Sequence, residues 1–202
     1  MADSIDTDLA ALAGSSIASG DVLTLVDVSD TSMAATGTNK KTTAADVLTY
    51  MQLNGSTVTC KQSAQVTNSS NTTPTDITGL SFSLTSGRRY YFKFMVTFQT
   101  DTTTTGAAFM FSAPAMTHAN FYSMVQQAAN GTAKFYAQQS TTLTTQAPSA
   151  SVIATGTDYI AFVEGFCQPS AGGTLQLRVR SEINASVVTV AAYGVGLLTD
   201  LG

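Results

Sequence analysis

The chain has 202 residues, of which only 11% are charged and 44% hydrophobic, while 33 Thr and 21 Ser make it rich in hydroxyl groups. Its formal net charge of −4 argues against a protein that binds nucleic acid by neutralising phosphates. The single histidine removes most common catalytic and zinc schemes, and no apolar run approaches a membrane span, so we expect a non-enzymatic structural or binding protein without a cofactor.

Charge divides the chain into two parts. Residues 1–54 hold seven Asp and two Lys, a net charge of −5, whereas residues 55–202 hold six acidic and seven basic residues, a net charge of +1. Such asymmetry predicts two modules with different surroundings. We therefore divide the chain into an N-terminal module (1–54), a linker or edge strand (55–72) and a β domain (73–202). The N-terminus lacks a basic segment followed by an apolar one, so we expect no secretory signal.

The N-terminal module is predicted to be a small mixed α/β unit. A short first helix ends at Gly14, a strand follows at 22–28, and residues 29–39 form a polar loop. Thr43 and Asp46 have the spacing of a capping box, with Asp in place of the usual Glu, and predict the start of a second helix. About fifty residues with so few large apolar side chains bury too little surface to be stable alone. We therefore expect this module to be stabilised by contact with a partner, such as another copy of itself.

The rest of the chain is predicted to consist of β-strands. Within 55–72 we favour a strand over 56–66, and from Ile77 the pattern is strongly β. Its clearest strand is 90–100, where Phe92 and alternate residues after it face one way. Turn residues separate the segments, and no segment has helical periodicity. The pattern predicts a mainly β chain with an antiparallel, jelly-roll-like β-sandwich, and a meandering barrel is the alternative. Further strands are expected at 80–84, 107–112, 121–127, 134–138, 151–154, 159–168, 174–182 and 187–193.

Charged residues on two predicted strands are candidates for a subunit interface. Arg178, Arg180 and Glu182 alternate along one strand, so their side chains share a face, and Arg88 and Arg89 open another strand. In one interpretation they form solvated ion pairs that contribute little. In the other, the guanidinium groups fix the register of neighbouring subunits by binding carboxylates or carbonyls.

Few residues suggest chemistry. His118 is expected in a loop after a proline and has no second histidine as a partner. Cys60 and Cys167 are each expected to be small buried hydrophobes on strands, and a disulfide between them is the alternative.

The hydroxyl- and amide-rich surface would suit protein contacts or sugar binding. Sugar sites usually use an aromatic platform, and the chain has no tryptophan. We therefore prefer protein assembly and keep a carbohydrate-binding module as an alternative. Its candidate residues would be Tyr90, Tyr91, Tyr122 and Tyr136.

Seven segments resemble structural proteins of tailed bacteriophages. Three of them resemble the short N-terminal module of tail-fibre and minor structural proteins, a strand followed by a variable loop and a helix that opens with KKTTAAD. The others resemble β domains of phage virions. The order of the segments along the chain is more specific than any one of them. They are 9–14, 18–29 and 39–51 in the first module, and 76–92, 105–114, 173–182 and 186–190 in the β domain.

The resemblance implies a virion component, assembled in the host cytoplasm, that forms a homotrimer of jelly-roll-like domains. It implies that residues 1–54 anchor the chain to other virion proteins of the tail or capsid, and that a host surface receptor is a further partner. A short fibre or a particle-surface projection fits the length better than a long fibre, and a head-decoration protein is the alternative. We expect neither nucleic acid nor membrane insertion. The apolar residues expected to form the anchor are Leu23, Leu25, Val26, Val47, Leu48 and Met51.

Overall fold

A computed structural model gives the architecture of the chain. It describes residues 22–27, 38–47, 57–127, 135–146, 148–149, 151–152 and 154–202. By their internal contacts the residues separate into two compact units, 1–53 and 54–202. The predicted first helix, with Gly14 at its end, lies outside the described residues.

Strands dominate the described residues. The smaller unit contains β1 and β2, and the larger unit contains the other eleven strands, all paired antiparallel. The strands are β1 (Val22–Asp27), β2 (Thr38–Thr43), β3 (Thr57–Lys61), β4 (Val66–Asn68), β5 (Thr75–Leu84), β6 (Tyr90–Thr100), β7 (Ala107–Ser112), β8 (Met116–Gln126), β9 (Phe135–Ser140), β10 (Tyr159–Pro169), β11 (Gly173–Ser181), β12 (Val188–Val190) and β13 (Val195–Asp200).

In the smaller unit, β1 and β2 form a hairpin that leads into a helical turn at 44–47. The predicted capping box is present. Thr43 Oγ1 accepts a hydrogen bond from Asp46 N (3.1 Å), and Asp46 Oδ2 accepts hydrogen bonds from Thr43 N (3.0 Å) and Thr43 Oγ1 (2.7 Å). Strand β2 was not predicted, because its polar sequence has no apolar alternation and its strand conformation comes from pairing with β1.

The larger unit is an antiparallel β-sandwich, as expected for a jelly-roll-like domain. Its eight-stranded sheet has the order β3-β13-β6-β10-β8-β9. Strand β12 pairs with the remaining length of β6, and β4 pairs with β12. Its three-stranded sheet has the order β5-β11-β7. Burial alternates along β6, β10 and β11, so one face of each sheet is turned inward, which is the period-2 pattern of a half-buried strand.

Aromatic side chains join the two sheets. Phe111 of β7 lies with its ring centroid 5.0 Å from Phe92, 5.6 Å from Phe94 and 5.4 Å from Phe121, all on the eight-stranded sheet. All four side chains are almost fully buried. Tilted and edge-on aromatic contacts of this kind are favoured over face-to-face stacking. The sandwich therefore has a closed core of its own between the two inward faces.

Two strands near the C-terminus share one edge of β6. Strand β12 pairs with its residues 98–100, whereas β13 pairs with residues 90–95 and is the neighbour of β3. The buried Gln62 bridges the gap between them, since its Nε2 donates to Val190 O (3.3 Å) and its Oε1 accepts from Gly194 N (3.2 Å). The prediction of one strand at 187–193 was wrong, because the chain turns at 191–194 and then enters β13, which was not predicted.

Two further segments differ from expectation. His118 lies on β8 and not in a loop, because β8 begins at Met116. The described residues of 151–154 do not form a strand. Two residues that precede 151–154 bond to the free edge of β7. Phe111 N donates to Leu143 O (2.7 Å), and Ser149 N donates to Ala107 O (2.8 Å). These bonds satisfy backbone groups at the edge of β7 without a regularly paired strand.

Candidate functional site

The predicted arginine strand is β11, the centre of the three-stranded sheet. Arg178 and Arg180 lie on its outward face, while the alternate residues of β11 face the core. Both guanidinium groups have partners in the same chain. Arg178 Nε lies 2.6 Å from Asp76 Oδ1 and its Nη2 donates to Pro74 O (2.9 Å), and Arg180 donates to the carbonyls of Asn71 and Gln146.

Two of the other charged candidates, Glu182 and Arg88, also have partners within the chain. Glu182 Oε2 accepts a hydrogen bond from Gly106 N (2.8 Å), next to the turn at 101–106. Arg88 Nε donates to the buried Asp200 Oδ2 (2.5 Å), and Arg89 is exposed. The structure thus shows Arg88 joining the turn before β6 to β13 and Glu182 joining the end of β11 to the turn before β7. Their role in a subunit interface stays a prediction.

A different surface, the outward face of the eight-stranded sheet, carries exposed apolar side chains, and we call it the outer face. Its middle strands are β13, β6 and β10, whose pairing sets the side chains in rows. One row crosses the sheet through Val195, Met95, Phe162 and Met124. The exposed apolar or aromatic side chains of the face are Met95, Tyr122, Ile160, Phe166, Val195 and Leu197.

A polar cluster lies within this apolar surface. Glu164 of β10 stands between Lys93 of β6 and Tyr122 of β8 in one cross-strand row. Tyr91 Oη donates to Glu164 Oε1 (2.6 Å), Tyr122 Oη donates to Glu164 Oε2 (2.9 Å), and Lys93 Nζ lies 3.8 Å from Glu164 Oε2. Phe166 packs against Tyr91 with ring centroids 5.3 Å apart. The cluster therefore fixes the side chains of three neighbouring strands relative to one another.

The hydrogen bonds shift the ionisation of the cluster. The Tyr91 hydroxyl holds the pKa of Glu164 below its ordinary value, because it donates to the carboxylate and so stabilises the charged form. The same bond raises the pKa of Tyr91 to about 12, and that of Tyr122 is raised for the same reason. At neutral pH Glu164 is thus a carboxylate held by two neutral phenols.

The tyrosines proposed for a sugar site are not all accessible. Tyr90 is buried, and its hydroxyl accepts a hydrogen bond from Thr85 N (3.0 Å). Tyr136 is half-buried on β9. Only Tyr91 and Tyr122 stand on the outer face. Sequence alternation separates Tyr91 from Tyr90, but it does not show that Tyr91 and Tyr122 meet at one carboxylate.

The remaining candidates are the two cysteines and the histidine. Both Cys60 and Cys167 are free thiols, and burial raises their pKa values to about 11 and about 12, respectively. His118 is exposed on β8. In the part of the chain that the structure describes, no three His, Cys, Asp or Glu side chains come together as a metal site. Nor does that part contain a helix long and apolar enough to span a membrane.

The predicted anchor residues belong to the smaller unit. Leu23, Leu25 and Val26 are on β1, and Val47 is in the helical turn after β2. Leu48 and Met51 lie outside the described residues. The anchoring role of this unit stays a prediction.

Comparison with solved structures finds low similarity to structures of infectious bursal disease virus. A structure of infectious bursal disease virus, Gt strain, aligns with 90% of this chain and 41% of its own at 13% identity and a TM-score of 0.24. A structure of the Gx strain aligns with 73% of this chain and 36% of its own, at 12% identity and a TM-score of 0.24. A mutant VP2 protein of the virus, in derived T=1 particles, aligns with 90% of this chain and 41% of its own, at 12% identity and a TM-score of 0.21.

The chain spans about two fifths of the length of the solved chains it matches. No protein-family model and no curated protein matches it. The described chain is mainly β, with an antiparallel, jelly-roll-like β-sandwich in its larger unit.

Proposed function

We propose that this chain is a non-enzymatic structural protein of a bacteriophage virion, a short homotrimeric projection that works by assembly and by adhesion to the host. The observation that carries the proposal is the outer face. The sandwich already has a closed core, so exposed Met95, Phe166 and Leu197 are not needed to complete the fold. Exposed apolar side chains gathered on one face mark a surface that contacts a protein, a membrane or a ligand. The sequence segments that resemble phage structural proteins supply the bacteriophage context.

In this proposal the smaller unit attaches the chain to the particle. Its acidic charge and small apolar content suit a module that is completed by other virion proteins. A chain that lacks residues 1–53 should then fail to join particles, whereas the full chain joins them. Incorporation of the truncated chain at the full chain's level would contradict the anchoring role.

Electron microscopy of intact particles labelled with antibodies to this chain tests the virion assignment. Label on the tail, together with loss of host adsorption in particles without the protein, supports a short tail fibre. Label on the shell, together with loss of capsid stability, supports a head-decoration protein, the alternative within the same class. Particles without label would contradict a virion role.

A carbohydrate-binding module is the second candidate function. The observation that favours it is Phe166, an aromatic side chain that is 54% exposed beside Tyr91 and close to the Glu164 carboxylate. Sugar rings pack on aromatic faces while their hydroxyls bind carboxylates and amides. A glycan array probed with the full chain tests it, and an array without binding would exclude this candidate.

A further inference from the structure

We propose that the outer face is occupied by a second copy of this chain, with Lys93 of one copy opposite Glu164 of the next. This inference rests on the proposed structural role and assigns the surface through which copies meet. It places self-association on a different surface from the arginine strand, whose role in an interface stays a separate prediction.

The area of the outer face is comparable to the area that one protein buries in contact with another. Six strands side by side at about 4.8 Å span about 24 Å, and six residues along a strand span about 20 Å, so the face projects to about 500 Å². The accessible area of side chains that stand on the sheet exceeds this projection. A standard interface buries about 800 Å² on each partner, so the face supplies most of what a stable contact between two proteins needs.

The central charges of the outer face are complementary to themselves. Glu164 and Lys93 lie in one cross-strand row, and this lysine is only loosely bound at 3.8 Å, whereas a second lysine, Lys61, lies opposite Val195 on the edge strand β3. The Lys93 side chain is 43% exposed, so its ammonium group can reach beyond its own chain. In a closed trimer the next copy presents a carboxylate to this lysine, and the third copy presents a lysine to this carboxylate. A strongly charged partner would leave one of the two without a counter-charge as the face lost water.

Apolar side chains adjoin Lys93 and Glu164 on the outer face. Met95 and Leu197 flank Lys93 along β6 and across to β13, and Phe166 follows Glu164 along β10 by two residues. Charged residues are depleted in the core of an interface, whereas aromatic residues and methionine are enriched there. The outer face has the aromatic and methionine content of such a core, and its central charged pair is the exception, which needs counter-charges from the neighbouring copy.

A matched pair of variants in the full chain tests the surface. Met95 on the outer face and Ile183 in the loop after β11 are each 40% exposed, so an aspartate at either position should leave the fold intact. We expect Met95→Asp to weaken self-association by about tenfold or more and Ile183→Asp to leave it unchanged. The measurement is the mass from light scattering between about 1 and 100 µM, with circular dichroism as the check on folding. Equal masses for Met95→Asp and the unchanged chain would overturn the proposal.

Charge reversal tests the pairing of Lys93 and Glu164 across copies. Lys93→Glu puts two carboxylates in the central row, and Glu164→Lys puts two lysines there. We expect each variant alone to be a monomer and an equimolar mixture of the two to associate again. Association of each variant alone would overturn the pairing, as would a mixture that stays monomeric.

These results separate this inference from the proposed function. An unchanged chain that is a monomer in solution but is found on particles overturns the inference and leaves the virion role standing, with another virion protein on the outer face. A chain that associates through the outer face but is absent from particles overturns the virion role and supports the inference.

Discussion

Substitution of Gly165 tests how closely the strands behind the outer face are packed. Gly165 is at the middle of β10, paired with Phe92 on one side and Phe121 on the other. A Cβ atom at this position would lie 2.4 Å from Asn120 O, 2.5 Å from Phe121 Cβ and 2.7 Å from Phe121 Cα. Two of these three atoms belong to the backbone of β8, so they cannot move aside without shifting the strand.

The expected effect of Gly165→Ala follows from this geometry. Overpacking of a core costs about 1–3 kcal/mol, and a clash with the backbone belongs at the upper end of that range. About 3 kcal/mol lowers the Tm of a domain of this size by about 6–12 °C. Because Gly165 lies between Glu164 and Phe166, the shift of β8 against β10 also moves Tyr122 away from Glu164. We therefore expect weaker self-association at temperatures where the variant is still folded.

Thermal unfolding followed by circular dichroism measures this effect. The matched control is Gly172→Ala, whose Cβ would meet Leu84 O at an ordinary 3.6 Å. The control should change stability by less than about 1 kcal/mol, since alanine mainly restricts the unfolded chain. A Gly165→Ala chain that melts within about 2 °C of the unchanged chain would refute the close approach of β8 and β10.

Three further predictions concern the core, the polar cluster and the thiols. Phe111→Ala should lower the free energy of unfolding in urea by about 3–5 kcal/mol, because it empties the centre of the aromatic core; a loss under about 1 kcal/mol would contradict that packing. The folded-state pKa of Glu164 is lowered from 4.5, so its contribution to stability is full above that value and is lost as the pH falls through the folded pKa. The Tm difference between the unchanged chain and Glu164→Gln should therefore shrink on acidification, and a difference independent of pH would contradict the assigned bonds. Iodoacetamide at about pH 8 should label Cys167 only after unfolding, as mass spectrometry would show, because the thiol is buried and protonated; rapid labelling of the folded chain would contradict its burial.

Local sequence patterns predicted most strands of the larger unit. Strand β6 alternates apolar and polar side chains, β7 and β10 are largely apolar runs between turn residues, and the observed strands lie within one residue of the predicted bounds. The patterns failed where a neighbour decides the conformation. Strand β2 is polar throughout, and β13 follows β12 so closely that the sequence gives no clear turn between them.

The candidate site was less predictable than the fold. Alternation indicates that Tyr91, Lys93 and Met95 share a face, but not whether another layer covers that face. Its exposure depends on the three-stranded sheet packing against the opposite side of the eight-stranded sheet. The arginines drew attention because they are few, yet their partners, such as Pro74 and Gln146, are 104 and 34 residues away in sequence.

The sequence by itself determined that this is a β protein of low charge with an acidic N-terminal part, because composition and the two-residue period of strands are local properties. The tertiary structure decided the order of the strands and which faces of the sheets meet. It alone brought Tyr91, Glu164 and Tyr122 together from three strands and left Met95 and Phe166 uncovered. The physical reason is that cross-strand register and exposure depend on pairing between segments far apart in the chain, which no local pattern encodes.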